Sequence, residues 1–95
     1  MKYEHKQLLN RNYKAVVNRG CITPATTLLD FLEKTEEEFY EVMNAHNIGD
    51  TEPNTHTIEE LGDLINVCNN LLIHYGHNPD DILKAIARKN ENRVT

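Results

Sequence analysis

Ile58, Leu61, Ile65, Cys68, Leu72 and Tyr75 recur at alternating steps of three and four residues. That spacing is the seam of an α-helix and cannot be drawn as a strand, whose side chains change face at every residue. Leu64 and Leu71 widen the stripe. A second seam with the same rhythm runs through Ala25, Leu28, Leu32, Thr35, Phe39 and Val42, and predicts a helix extending to about Ala45. Thr23-Pro24 reads as its N-cap followed by proline at the first helical position. An earlier helix is expected from about Glu4 to Asn18, stopped by Gly20. Residues 46–56 form a loop by composition. Asn78-Pro79-Asp80-Asp81 opens a last helix, with a cap, a proline and acids suited to the positive end of the helix dipole. Its Ile82, Leu83 and Ile86 face inward, and it runs toward a polar end at Thr95.

Four Gly, three Pro and no sustained alternation leave no room for a sheet. The expected fold is all-α, a four-helix, bundle-like subunit in one domain spanning 1–95. At 95 residues the chain buries roughly 60–65% of its unfolded surface, too little to enclose a large ligand alone. The seams of the second and third helices are also wide, with Leu29, Tyr40, Met43, Leu64 and Leu71 beside them. That surplus predicts burial against another copy, as a homodimer or homotetramer.

The net charge of −5 is segregated. Residues 1–20 have a balance of +4 and residues 84–95 of +3, while residues 21–83 carry thirteen Asp/Glu against Lys34 alone. An acidic middle repels duplex nucleic acid. Apolar runs are too short to span a membrane. Met1-Lys2-Tyr3-Glu4-His5-Lys6 lacks the apolar stretch of a secretion signal, so the expected compartment is the cytoplasm, with Cys21 and Cys68 as free thiols.

The acids are patterned within that middle. Glu37, Glu38 and Glu41 fall within little more than a turn of the second helix, and Glu60 and Asp63 stand three apart on the third. Residues three apart on a helix point the same way. If the two helices pack antiparallel, the carboxylates converge at the edge of the core. Two unit charges about 5 Å apart repel by roughly 3 kcal/mol at an effective dielectric near 20. Such a cluster therefore needs a cation or protons, and an all-oxygen ligand set suits Mg²⁺ or Mn²⁺. Two plainer readings compete. Glu is a strong helix former, so the acids can be solvated surface. Thr57-Ile58-Glu59-Glu60 is also a capping-box sequence, in which Glu60 would bond back to the Thr57 amide. A cap at Asn54 or Thr55 would instead leave Glu60 free, and is preferred.

The preference rests on a resemblance. Glu37-Glu38-Phe39-Tyr40-Glu41 followed by Glu60-Leu61-Gly62-Asp63 resembles the E-E-x-x-E … E-x-x-D signature of the MazG-like, all-α nucleoside triphosphate pyrophosphohydrolases. Lys34 stands three residues before the first motif Glu, and the similarity continues through Asn70-Leu71 and Gly76 to Lys89 and Arg93. It covers roughly residues 31–94. The resemblance implies the all-α NTP pyrophosphatase architecture and Mg²⁺-dependent cleavage of a nucleoside triphosphate to a monophosphate and pyrophosphate. It implies Glu38, Glu41, Glu60 and Asp63 as metal ligands, with Glu37 orienting or deprotonating the attacking water beside Glu38. Lys34, Lys89 and Arg93 would neutralise phosphate charge, and Asn70 would hydrogen-bond the nucleotide. In one respect the chain departs from the pattern: His56 stands where some family members have lysine.

The reading that follows is a house-cleaning nucleotide pyrophosphohydrolase with a nucleoside triphosphate as its substrate. Phosphoribosyl-ATP pyrophosphatase is the alternative enzyme. It ranks lower because that relative tends to place a histidine shortly after the second motif, where this chain has Ile65-Asn66-Val67. A helical binding module that kept the fold and lost turnover is the non-enzymatic alternative. His74 and His77 read as surface or capping residues, Tyr75 as core, and Cys68 as a small buried apolar group.

Overall fold

The computed structural model describes residues 2–93, with side chains from residue 4 onward. The expected end at Thr95 lies outside the described residues. Four helices follow in order: α1 (Lys2–Asn18), α2 (Leu28–Ala45), α3 (Thr55–His74) and α4 (Pro79–Glu91). No strand occurs among the described residues, and no helix is long and apolar enough to cross a membrane. The all-α expectation holds.

The helix ends show why the chain breaks where it does. α1 closes with a Schellman motif: Cys21 N–H donates to Val16 C=O at 3.2 Å and Gly20 N–H to Val17 C=O at 2.9 Å. Gly20 takes φ 76°, a left-handed conformation that a Cβ would oppose. α3 ends the same way, with His77 N–H on Leu72 C=O, Gly76 N–H on Ile73 C=O, and Gly76 at φ 82°. Asn78 caps α4 by accepting from Asp80 N–H at 2.9 Å, and Pro79 opens the helix as expected.

The start of α2 corrects the sequence reading. Thr23-Pro24 does not cap it; Thr27 does, four residues later. Thr27 Oγ1 accepts from Asp30 N–H at 3.2 Å while Asp30 Oδ2 accepts from Thr27 N–H at 2.9 Å, a reciprocal capping box. Thr23 and Thr26 instead build a local turn, with Thr23 N–H donating to Thr26 Oγ1 at 2.8 Å. Both segments carry cap chemistry, and the one satisfying two backbone donors at once sets the helix start.

α3 is the hub. It packs against α2, α1 and α4; among the described residues α1 and α4 also meet where His5 Nε2 lies 2.9 Å from Asp80 Oδ1. α2 and α3 run antiparallel, since Ala45 meets Asn54 at one end and Phe31 meets His74 at the other. The faces they share overlap the seams expected from periodicity only in part, at Thr35 and Val42 of α2 and at Leu64 beside the α3 seam. Leu28, Leu32 and Phe39 of α2 are each about half exposed, as are Ile58 and Ile65 of α3 and Tyr75 just past its end, and Cys68 is exposed. The inward stripe of α2 is Phe31, Thr35, Glu38, Val42 and Ala45; that of α3 is Thr57, Glu60, Leu64, Val67, Asn70 and His74. The physical reason is topological. With only α3 touching it, α2 can bury one stripe, and the pair buries the stripe carrying its carboxylates and amide, leaving the oilier one outside.

His74 is a further correction. It is half-buried and joins three segments, with Nε2 3.1 Å from Thr26 C=O and Nδ1 3.1 Å from the Tyr13 hydroxyl. A carbonyl only accepts, so Nε2 donates to Thr26, while the Tyr13 hydroxyl shares a hydrogen bond with Nδ1. The ring also lies 5.0 Å from Phe31 and 5.1 Å from Tyr75, centroid to centroid. It therefore ties α1 and the α1–α2 connection to the C-terminal end of α3.

The apolar core is thin: Leu9, Ile22, Phe31 and Ala45 are its buried members. The radius of gyration is 15.4 Å, whereas a compact domain of this length comes to about 12 Å. The subunit is open.

Candidate active site

Antiparallel packing of α2 on α3 sets Glu38 opposite the Glu60–Asp63 turn. Carboxylate oxygens of Glu38, Glu60 and Asp63 all lie within 4.8 Å of one another, and so do those of Glu37, Glu38 and Glu41. Glu38 belongs to both groups and is 6% exposed, while Glu41 and Glu60 are half-buried and Glu37 and Asp63 exposed. The five acids singled out in the sequence thus form two groups of three that share Glu38.

Glu60 is not spent on a cap. Asn54 caps α3, its Oδ1 accepting from Thr57 N–H at 2.8 Å and from the Thr57 hydroxyl at 3.1 Å. Glu60 Oε1 instead lies 3.2 Å from His56 Nε2, one turn earlier. Its second oxygen, Oε2, is buried with no hydrogen-bond partner, and the same holds for Glu38 Oε2. Buried carboxylate oxygens cost free energy unless they are paired or coordinate a cation. The residues present therefore fit a hard divalent ion: several oxygen donors within one ion's reach, two of them buried with nothing else to bind.

Lys34 is the cation already in contact with the cluster. Its Nζ lies 3.2 Å from Glu38 Oε1 and 3.4 Å from Glu37 Oε1. Partial burial by itself disfavours the ammonium, but hydrogen bonds to Glu38 and then Glu37, with the attraction of both charges, lift the Lys34 pKa above its ordinary value.

The cluster opens into a cleft of about 440 Å³. Val16, Ile22, Phe31 and Val67 give it apolar walls, and Lys34, Glu38 and Asp63 line its acidic part. Asn70 also lines it, is 3% exposed, and keeps its Oδ1 buried and unpartnered. An apolar slot with two amides, Asn66 and Asn70, and a charged end suits a flat base attached to a phosphate chain. Lys89 and Arg93 do not line this cleft: Lys89 is exposed on α4, and Arg93 lies just past its end.

The α1–α2 connection was missed by sequence reasoning. Arg19, Cys21, Ile22 and Thr26 all line the cleft, joined by Asn66 and Val67 of α3. A signal existed for the last two, because Asp63, Asn66, Val67 and Asn70 fall on one helical face. Arg19 could be located only once the Gly20 turn had fixed the chain's direction.

Four helices with carboxylates converging from a facing pair define a nucleotide pyrophosphohydrolase of the all-α NTP pyrophosphatase fold. A family model described as phosphoribosyl-ATP pyrophosphohydrolase matches residues 21–90, and the chain belongs to that family, within the MazG-like superfamily. No curated protein and no solved structure gives a significant match.

Proposed function

We propose that the protein cleaves the α–β anhydride of a nucleoside or deoxynucleoside triphosphate, releasing pyrophosphate and the monophosphate, with Mg²⁺ as cofactor, and that it clears unwanted nucleotides. The observation that carries this reading is Glu38: nine-tenths buried, shared between two carboxylate groups, and with one oxygen unpartnered. Glu38, Glu41, Glu60 and Asp63 would hold the ion, which when bound polarises the phosphate and lowers the pKa of water. Glu37 is exposed at the edge of this group, with room to orient the attacking water and take its proton. Asn70 presents its free amide oxygen to the nucleotide, and the apolar walls exclude water from the base. Lys34 balances the acids, whereas Lys89 and Arg93, which do not line this cleft, have no part in this reading. The test is pyrophosphate release by the purified chain from a panel of NTPs, dNTPs and phosphoribosyl-ATP with Mg²⁺. Folded protein that releases none from any of them refutes the hydrolase reading in favour of a binding module.

A second substrate, phosphoribosyl-ATP, is favoured by the family match across residues 21–90. Against it stands Ile65-Asn66-Val67 in place of the expected histidine. The same panel decides between the two.

We also propose that the working form is an assembly of copies of this chain, a homodimer or homotetramer. The half-exposed Leu28, Leu32, Phe39, Ile58 and Ile65, together with the large radius of gyration, support it.

A further inference from the structure

Arg19 lines the same cleft as the carboxylates but belongs to neither acidic motif and lies outside the matched residues 21–90. Among the described residues its guanidinium forms no ion pair, although Asp30, Glu38 and Asp63 line the cleft with it. Each acid is occupied differently. Asp30 is committed to the Thr27 cap, Glu38 is paired with Lys34, and Asp63 belongs to the carboxylate group it forms with Glu38 and Glu60. Lys34, the other cation of the cleft, is spent on Glu37 and Glu38. Arg19 is thus the positive group in this cleft that no protein acid satisfies.

Its position is fixed by the fold. Arg19 is the last residue before Gly20, its own N–H donates to Ala15 C=O at 3.2 Å, and the Schellman bonds on either side lock the turn. The chain then passes through buried Ile22 to Thr26, which His74 holds. Asp30 and Glu38, both lining the cleft, are eight residues apart on α2, a rise of about 12 Å. The cleft therefore runs from the carboxylates toward the α1–α2 connection, past the apolar walls and Asn70.

We propose that Arg19 is a substrate-binding residue that receives a phosphate group in this cleft. A guanidinium offers a fork of N–H donors matched to phosphate oxygens and cannot lose its charge. The group taken is either a phosphate of the anhydride chain or a second phosphate carried beyond the base, as on a phosphoribosylated nucleotide. The proposal rests on the hydrolase reading only for the choice of ligand.

The experiment uses compounds that are not turned over: inorganic pyrophosphate, AMP and phosphoribosyl-AMP, each titrated calorimetrically with Mg²⁺ into native chain, Arg19→Ala, Arg19→Lys and Arg11→Ala. Arg11 is an exposed α1 cation outside the cleft and controls for overall charge. Arg19→Ala is expected to weaken at least one of the three by about 10- to 100-fold. Arg19→Lys should recover part of the loss and Arg11→Ala should leave binding unchanged. Weakening of pyrophosphate or AMP assigns Arg19 to the anhydride chain; weakening of phosphoribosyl-AMP alone assigns it to the remote phosphate. Equal binding by native chain and Arg19→Ala, or no binding of any compound by the native chain, overturns the proposal. A native chain that binds through Arg19 yet releases no pyrophosphate from any triphosphate sinks the hydrolase reading and leaves Arg19 standing.

Discussion

Lys34 Nζ lies 3.2 Å from Glu38 Oε1, while the other oxygen of Glu38 is buried with nothing to bind. The carboxylate is thus half neutralised by the protein and half left for something else. Lys34→Met removes the protein's share. The metal-free chain is expected to lose about 1 to 2 kcal/mol, less than a fully buried pair because the lysine is half exposed. The Mg²⁺-dependent rise in Tm should then grow, since the ion becomes the only counter-charge to Glu38. Thermal melts with EDTA and with Mg²⁺ check both parts, and an unchanged Mg²⁺ increment would count against a metal at Glu38.

Glu38→Gln keeps the shape of the side chain and removes the charge shared by both carboxylate groups. Mg²⁺ at one hundred times its dissociation constant stabilises a folded chain by about 2.7 kcal/mol. That increment should shrink sharply in Glu38→Gln, together with loss of pyrophosphate release. Glu36→Gln removes an equal charge from an exposed neighbour on α2 that belongs to neither group. It should change stability by less than about 0.5 kcal/mol and leave the Mg²⁺ response intact. Matching behaviour of the two variants would mean that the acids are solvated helix surface.

The Thr27–Asp30 box makes a pH prediction. Hydrogen bonds from the Thr27 backbone and then its hydroxyl hold the Asp30 carboxyl below its ordinary value of 3.8. A depressed folded pKa favours the folded state at pH values above the unfolded one. That contribution is lost as pH falls through the folded value. Asp30→Asn should therefore flatten the acid limb of the stability curve below about pH 4. Thr27→Ala should cost about 1 kcal/mol, while Pro24→Ala, outside the helix, should cost less than about 0.5 kcal/mol. Denaturant titrations across pH 2–7 read all three.

His74 joins Tyr13 to Thr26 through its two ring nitrogens. Tyr13→Phe removes a single neutral hydrogen bond and is expected to cost about 1 kcal/mol. His74→Phe keeps the stacking against Phe31 but strands both the Tyr13 hydroxyl and the Thr26 carbonyl, and should cost about 2 to 3 kcal/mol. Because Thr26 lines the cleft, His74→Phe should also weaken nucleotide binding, whereas a purely local role would lower Tm alone.

The four helices, the glycine stops and the five clustered acids were all legible in the sequence. Each depends on local spacing: Gly20 and Gly76 follow from left-handed turns, and Glu38 meets Glu60 once α2 and α3 are antiparallel. Which stripe of each helix faces inward was not legible. Periodicity marks the most apolar stripe, Leu28–Leu32–Phe39 on α2, but says nothing about whether its partner lies in the same chain. The stripe actually shared carries the same period, Phe31–Glu38–Ala45, and is diluted by the buried carboxylate. The histidine tie failed for another reason. Tyr13 and Thr26 are 61 and 48 residues from His74, and nothing local couples them.

The oilier stripes supply the last prediction. Leu32 and Phe39 are each 50% exposed on a helix that touches only α3, and Ile58 and Ile65 leave α3 equally uncovered. Contiguous apolar patches of several hundred Å² are rare on soluble monomers and mark interfaces. A second copy laying its own α2 and α3 on this face would bury like against like by two-fold symmetry. Light scattering at micromolar concentration should give a mass of at least twice the 11.0 kDa subunit. Leu32→Glu together with Phe39→Glu should lower that mass to one subunit, and Tm with it, because charge is driven into the shared face. Leu8→Glu is a control: it adds a charge at an exposed leucine on α1, outside α2 and α3, and should leave the mass unchanged. A native particle of 11.0 kDa would show that the open subunit stands alone, with its apolar stripes in water.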